Sequence, residues 1–281
     1  MKGVHDLVRR TMPGEVVMHS ESLTGGVSAR VTALILRKPD GQERRVVVRE
    51  YGERDLRANP DVAAQEYALL SFLNTQGMPV PQPLAHAPGV LVQTFMAGQS
   101  GAEVGADPVQ LARFLARVHA LEPAAVPLRP LANVPPASGP PDDSLSESVI
   151  RAALAAHPPP PGRTTLLHGD LWPGNTLWQA GSLSAVLDWE DAAQGNPLYD
   201  LSTARLELLF FSGHEAMQAF TVEYIGVTGT AVCDLPVWDL RAALRPCGRM
   251  QDWGLEAATE AQMRGRHAEF VLAALAAPRP S

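Results

Sequence analysis

The chain has 281 residues, 46% hydrophobic and 19% charged, the makeup of a globular protein long enough to fold as two lobes around real cores. Its formal charge of −7, from 30 acidic against 23 basic residues, argues against a large phosphate-backbone footprint and so against nucleic acid as the main partner. No charged segment followed by an apolar run opens the sequence and no apolar run reaches spanning length, so no membrane partner is expected and the cytoplasm is the expected compartment.

Across residues 16–49, β-branched runs alternate with a Gly25-Gly26 break and a Pro-Asp-Gly turn at 39–41, which predicts three antiparallel strands. Two adjacent glycines let a backbone pass close to phosphate oxygens and offer N–H groups to them, although a plain hairpin turn would read the same way. A helix is predicted next, with Asn59 as N-cap, Pro60 at its first position and Gly77 beyond its end. Its apolar stripe is Val62, Leu69, Leu70 and Leu73, and Glu66 falls on the same stripe. A carboxylate facing inward needs a cation, and Arg49 in the strand "VVVRE" is the expected partner; at the edge of the stripe Glu66 would instead be solvated. An apolar strand in "VLVQTFMAGQS" then runs into small and polar residues, placing a boundary between a first lobe, 1–97, and a second, 98–281.

The second lobe begins with a helix capped by Asp107 and Pro108, with Leu111, Phe114, Leu115, Val118 and Leu121 at helical spacing and His119 beside that face as a core histidine. Residues 123–163 are Pro-rich and hold one further helix, read from a capping box at Ser144 and Glu147. Two short strands, "NTLWQ" and "LSAVLDW", are expected to form a hairpin about a Gly-Ser turn. Cys233 and Cys247 are too far apart for a CxxC motif and are expected as buried apolar fillers.

The hairpin is framed by "HGDLWPGN" at 168–175 and "VLDWE" at 186–190. A carboxylate that accepts the proton of an attacking hydroxyl, followed by two oxygen ligands for a phosphate-bound Mg²⁺, is what phosphoryl transfer requires. Asp170 suits the first role, Asn175 and Asp188 the second. Asp170, Leu171 and Asn175 match the H-R-D-L-x-x-x-N loop of protein kinases, with Gly169 in place of the Arg.

On "HGDLWPGN", "VLDWE" and "GNPLYDLS", supported by the Gly loop, Arg49 and Glu66, the chain resembles the aminoglycoside phosphotransferase and choline-kinase-like branch of the protein-kinase-like superfamily over roughly residues 15–210. The resemblance implies an α+β, protein-kinase-like bilobal fold: a small antiparallel-sheet lobe with one main helix, hinged near Gln93 to Gly98 on a larger, mostly helical lobe. It implies Asp170 as catalytic base and Asn175 and Asp188 as Mg²⁺ ligands. Gly25, Gly26, Arg49, Glu66, Gln93 and Phe95 would form the ATP site, with GTP as the other candidate donor. Asp200 would brace the catalytic loop, and His168 would orient it. The acceptor would be a hydroxyl of a small molecule, aminoglycoside-like or another amino alcohol or sugar, and the protein a monomer or dimer.

The strand cation of kinases is normally Lys, but this chain has only Lys2 and Lys38, so Arg49 takes that place. That departure keeps a second reading open, a catalytically weak or inactive nucleotide-binding regulator. A protein kinase proper is disfavoured because only eleven residues separate Asp188 from Asp200, too few for a peptide-docking activation segment. No GxxxxGK[ST] is present, which excludes a Walker-type ATPase, and His168 and Asp170 have no third ligand at zinc spacing. Glu190, Asp191, Asp252, Glu256 and Glu260 are candidate contacts for a cationic acceptor, and Trp172, Trp189, Trp238 and Trp253 either wall such a site or fill the core.

Overall fold

A computed structural model of the chain describes residues 2–23, 29–122, 126–134, 136 and 139–278. It resolves two compact units: Met1–Gly98 with Ala124–Pro127 and Ser184–Glu190, and Gln99–Pro123 with Leu128–Leu183 and Asp191–Ser281. Among the described residues no helix is long and apolar enough to cross a membrane.

The first unit contains, in chain order, α1 (Lys2–Thr11), β1 (Val16–Ser22), β2 (Ala29–Arg37), β3 (Glu43–Tyr51), α2 (Glu53–Ala58), α3 (Val62–Thr75), β4 (Pro83–Ala87) and β5 (Val90–Thr94). The strands form one antiparallel sheet in the order β1-β2-β3-β5-β4. Side chains alternate across β3, so its two faces have different work. Val46 and Val48 join Leu34, Leu36 and Val92 in a core closed by Leu7 and Val8 of α1 and by Met12 just beyond it. Val47, Arg49 and Tyr51 lie on the opposite side, and α3 buries Glu66, Leu69, Leu70 and Leu73 as its stripe predicts.

The start of α3 departs from expectation. Pro60 disfavours helical backbone at the residue before it, and Asn59 is extended (φ −149°, ψ 91°). Asn59 therefore ends the short helix α2, its N–H donating to the Asp55 carbonyl at 2.7 Å, while its side-chain amide bonds Gln65. The N-cap position of α3 is Asp61, without a side-chain cap bond. The Gly25-Gly26 break lies outside the described residues.

The second unit adds β6 (Gln99–Ser100), α4 (Gly101–Val104), α5 (Pro108–His119), α6 (Glu147–Ala156), β7 (Thr165–Leu167) and β8 (Thr176–Gln179). β9 (Ser182–Val186) carries the chain into the first unit, and β10 (Ala193–Gly195) brings it back to α7 (Leu198–Ser212), α8 (His214–Thr228), α9 (Leu235–Ala243) and α10 (Ala257–Ala276). Asp107 caps α5 as predicted, accepting from Val109 and Gln110 N–H. The Ser144–Glu147 capping box does not form: Ser144 donates to Asp142, Glu147 accepts from the Asp142 N–H at 2.8 Å, and a 3-10 turn over Asp143–Leu145 separates the intended cap from α6. The turn before β9 is Ala180-Gly181, both at positive φ (50° and 77°), rather than Gly-Ser. Such paired left-handed residues match the twist of a two-residue hairpin loop. Neither cysteine is a core filler, since Cys233 is exposed and Cys247 only half-buried. Trp189 and Trp238 are core residues; Trp253 is exposed, and Trp172 packs on Phe211.

Candidate active site

In the second unit the motif loop leaves β7, which pairs antiparallel with β10, and enters a backbone conformation only glycine tolerates well. Gly169 has φ +88°, and a Cβ there would lie 2.3 Å from the Asp191 carbonyl oxygen. The loop is tied from beneath by Asp200, in the first turn of α7 and 1% exposed. Its carboxylate accepts the His168 N–H at 2.6 Å and the Gly169 N–H at 2.9 Å, and His119 Nε2 lies at 3.3 Å. His119 Nδ1 meets the Tyr224 hydroxyl at 2.6 Å, which fixes the ring. Burial works to raise the Asp200 carboxyl, but the hydrogen bond and charge of His119, the charge of His168 and the His168 N–H outweigh it and hold the group below the usual range.

Above this brace His168, fully buried, accepts the Asp170 N–H on Nδ1 at 3.2 Å. Asn175 closes the loop from the 3-10 turn Pro173–Asn175, its Nδ2 donating to the Asp170 carbonyl at 2.9 Å and to Asp170 Oδ2 at 3.2 Å. Gly174 permits that turn to pack on the Trp172 ring, where a Cβ would lie 2.0 Å from a ring carbon. Asp170 itself is 27% exposed along its side chain.

Two residues here were not anticipated. Arg245, just past α9, donates to Asp170 Oδ1, to the Gly169 carbonyl at 3.1 Å and to the Tyr199 hydroxyl at 3.0 Å. Glu207, on α7, is pushed up to about 7 by burial, an effect eased by Arg245 and reinforced by Asp170. No motif marks either, because both are brought to Asp170 by the packing of helices far along the chain.

The first unit holds a separate charged cluster. Arg49 is 7% exposed and its Nη2 donates to Asp188 Oδ1 at 2.5 Å and Glu190 Oε2 at 2.9 Å, while Nη1 stands 3.7 Å from Glu66 Oε1. The expected Arg49–Glu66 pair is therefore present, in wider company. Tyr51, two residues along β3 and so on the same face, donates its hydroxyl to Glu66 Oε2. Burial pushes the Glu66 carboxyl up, opposed by the Arg49 charge, the Tyr51 hydroxyl and the Trp189 backbone N–H. Arg49 resists the lowering that burial would cause, through Glu66 and Asp188, and stays cationic. Buried Arg49 Nε, Glu66 Oε1 and Gln93 Oε1 make no hydrogen bond among the described residues.

Of the other anticipated residues, Gln93 is buried on β5 opposite Val47, and Phe95 lies under the Arg45 guanidinium, 3.8 Å from its ring centroid; neither bonds Arg49 or Glu66. Asp252 and Glu256 are exposed, and Glu260 pairs with Arg264 one helical turn away at 2.6 Å.

Asp188 and Asn175, taken each within its own unit, leave an oxygen of the kind a magnesium ion takes. Asp188, at a left-handed φ of +66°, uses Oδ1 for Arg49 and leaves Oδ2 without a hydrogen bond among the described residues. Asn175 spends its N–H₂ on Asp170, which leaves its amide oxygen as the ligand atom. Among the described residues no cluster of three or more His, Cys, Asp or Glu could hold a metal ion.

The model of the "phosphotransferase enzyme family" matches residues 21–244. A homoserine kinase from Gluconobacter oxydans is 29% identical over 163 residues, 48% of this chain and 51% of that protein, so the match spans about half the relative's length. Among solved structures, the apoenzyme of macrolide 2'-phosphotransferase MphH from Brachybacterium faecium superposes with a TM-score of 0.60 at 19% identity, covering 100% of both chains. Choline kinase LicA from Streptococcus pneumoniae gives 0.57 at 15% identity, covering 97% of this chain and 98% of its own. At such identities the likeness concerns the fold, which is α+β and kinase-like, as the motif resemblance implied.

Proposed function

We propose that this chain, which belongs to the phosphotransferase enzyme family, moves the γ-phosphoryl group of ATP to a hydroxyl of a small molecule. The observation that carries the reading is the carboxylate of Asp170, presented on a loop whose backbone is strapped by Asp200 and whose side chain is steered by Asn175. Such a carboxylate is positioned to orient an attacking hydroxyl and take its proton in the transition state. The relatives named above act on homoserine, macrolides and choline, which share an alcohol group and little else, so family membership supports the reaction type more strongly than any one acceptor.

In this reading Arg49 contacts the nucleotide phosphates and Glu66 holds its guanidinium, with Tyr51 fixing Glu66 in turn. Asp188 and Asn175 would each offer an oxygen ligand to Mg²⁺. When bound, that ion neutralises charge developing on the transferred phosphoryl group. Asp200 and His119 keep the His168–Asp170 backbone from relaxing, so the base arrives preorganised. Transfer would be direct, without a covalent enzyme intermediate.

Engagement of Arg49 by three carboxylates keeps the second reading, a nucleotide-binding regulator, in play. Incubation with Mg-ATP and a pooled acceptor panel, read by mass spectrometry for one added phosphoryl group, separates the two. The enzyme reading expects a product that Asp170→Asn reduces by about 10²–10⁴-fold. Nucleotide binding with no product from any acceptor would favour the regulator.

A further inference from the structure

Arg245 has no part in the phosphotransfer chemistry set out above, yet it touches the carboxylate on which that chemistry depends. Its guanidinium is fixed within the second unit. Nη1 donates to the Gly169 carbonyl at 3.1 Å and the Tyr199 hydroxyl at 3.0 Å, and Nη2 donates to Asp170 Oδ1. The backbone behind it is anchored by its own N–H on the Ala242 carbonyl at 2.9 Å. Arg245 and Asp170 are each 27% exposed along the side chain and in direct contact, so neither is closed off from solvent.

Asp170 has Asn175 at Oδ2 and Arg245 at Oδ1. Any hydroxyl that gives its proton to this carboxylate must come in beside the guanidinium. Of the five guanidinium N–H groups, three are used by Gly169, Tyr199 and Asp170. The remaining two, on Nε and Nη2, have no partner among the described residues. They sit on adjacent nitrogens, the spacing that binds a carboxylate through parallel bonds. An ammonium group in the same place would face a permanent cation.

The other charged groups acting on Arg245 are Asp191 and Glu207. Glu207 is pushed up to about 7 by burial and so is only partly ionised near neutral pH, and Asp191 is exposed to screening water. Neither cancels the guanidinium at the point where it meets Asp170, although both would suit an amine placed farther from the hydroxyl.

We propose that Arg245 selects the acceptor, and that the acceptor is a small hydroxy acid, including hydroxy amino acids, whose carboxylate docks on the free N–H groups of Arg245 while its hydroxyl faces Asp170. This rests on the phosphotransferase reading. It turns that reading from a general alcohol acceptor to an anionic or zwitterionic one, away from polycationic aminoglycosides.

The test uses matched pairs that differ by the carboxylate: homoserine against 3-aminopropan-1-ol, and 4-hydroxybutyrate against propan-1-ol, each with Mg-ATP. The parent protein is expected to prefer the acid of at least one pair, and Arg245→Gln to raise its KM by about ten- to a hundred-fold so that the preference collapses. Arg245→Lys should recover part of it, because charge returns without the fork. Nucleotide affinity, measured on each variant, reports that the fold is intact. Products from the partners without a carboxylate alone, or an acid preference unchanged in Arg245→Gln, would overturn the proposal and leave the phosphotransferase reading standing. No product from any acceptor would overturn both.

Discussion

The Asp200 brace and the Arg49 cluster are both built on buried charge, and they differ in how that charge is satisfied. Asp200 receives two backbone N–H groups and lies beside His119, whose ring is itself bonded to Tyr224. Arg49 faces three carboxylates, yet its Nε and the facing Glu66 Oε1 are left without hydrogen bonds among the described residues. Buried polar groups that are fully paired rigidify a structure, whereas incompletely paired ones are held at a free-energy cost that an incoming ligand can relieve. The first cluster is thus suited to holding a loop still, whereas the second, three carboxylates around one guanidinium, is net negative and incompletely paired, and under the proposed function it would take phosphates only together with their Mg²⁺.

The sharpest way to break that contrast is to remove the brace. Asp200→Ala would strand two buried N–H donors and His119, and a loss of about 3–5 kcal/mol is expected in chemical denaturation. Asp200→Asn keeps one acceptor oxygen and should lose less. If Asp200→Ala unfolded at the same denaturant concentration as the parent, the brace would carry no stability. A smaller effect is expected in the other cluster. Tyr51→Phe deletes the hydroxyl on Glu66 Oε2 while the carboxylate as a whole keeps the Trp189 N–H and the Arg49 charge, so about 1–3 kcal/mol should be lost. A cost as large as that of Asp200→Ala would erase the distinction between scaffold and receptor.

The smallest effect is a pH dependence near the motif loop. Glu207 rises from its ordinary 4.5 to about 7 on folding, so the folded chain binds its proton more tightly and stability falls as pH climbs through that window. Glu207→Gln cannot ionise. Its thermal midpoint relative to the parent should therefore improve between pH 5 and pH 8, and parallel curves would contradict the raised value.

The parts of this molecule legible in sequence are those concentrated in short segments. The loop 168–175 carries its polar residues within eight positions, the strands of 16–51 show their alternation, and Glu66 betrays itself by sitting on an apolar stripe. Helix α2 escaped notice because its six residues carry a single large apolar side chain, Leu56, among charges, and β4 because it opens on Pro83 in a Pro-rich run, whereas α1 was legible from Val4, Leu7 and Val8 at helical spacing and was overlooked. Arg245 lies 75 positions from Asp170, and only the packing of α7 and α9 brings them together. Nor does any local pattern announce that Ser184–Glu190, contiguous in sequence with the motif hairpin, belongs to the first unit and delivers Asp188 to Arg49.

The most direct test of a division of labour between the two clusters is calorimetric titration of Mg-ATP into Asp170→Asn and Arg49→Ala, side by side with the parent. Asp170→Asn is expected to bind nucleotide within a few-fold of the parent while losing phosphoryl transfer, and Arg49→Ala to lose about ten- to a hundred-fold in affinity, the effect of deleting a charged hydrogen bond. Unchanged affinity in Arg49→Ala, or lost affinity in Asp170→Asn, would contradict the account.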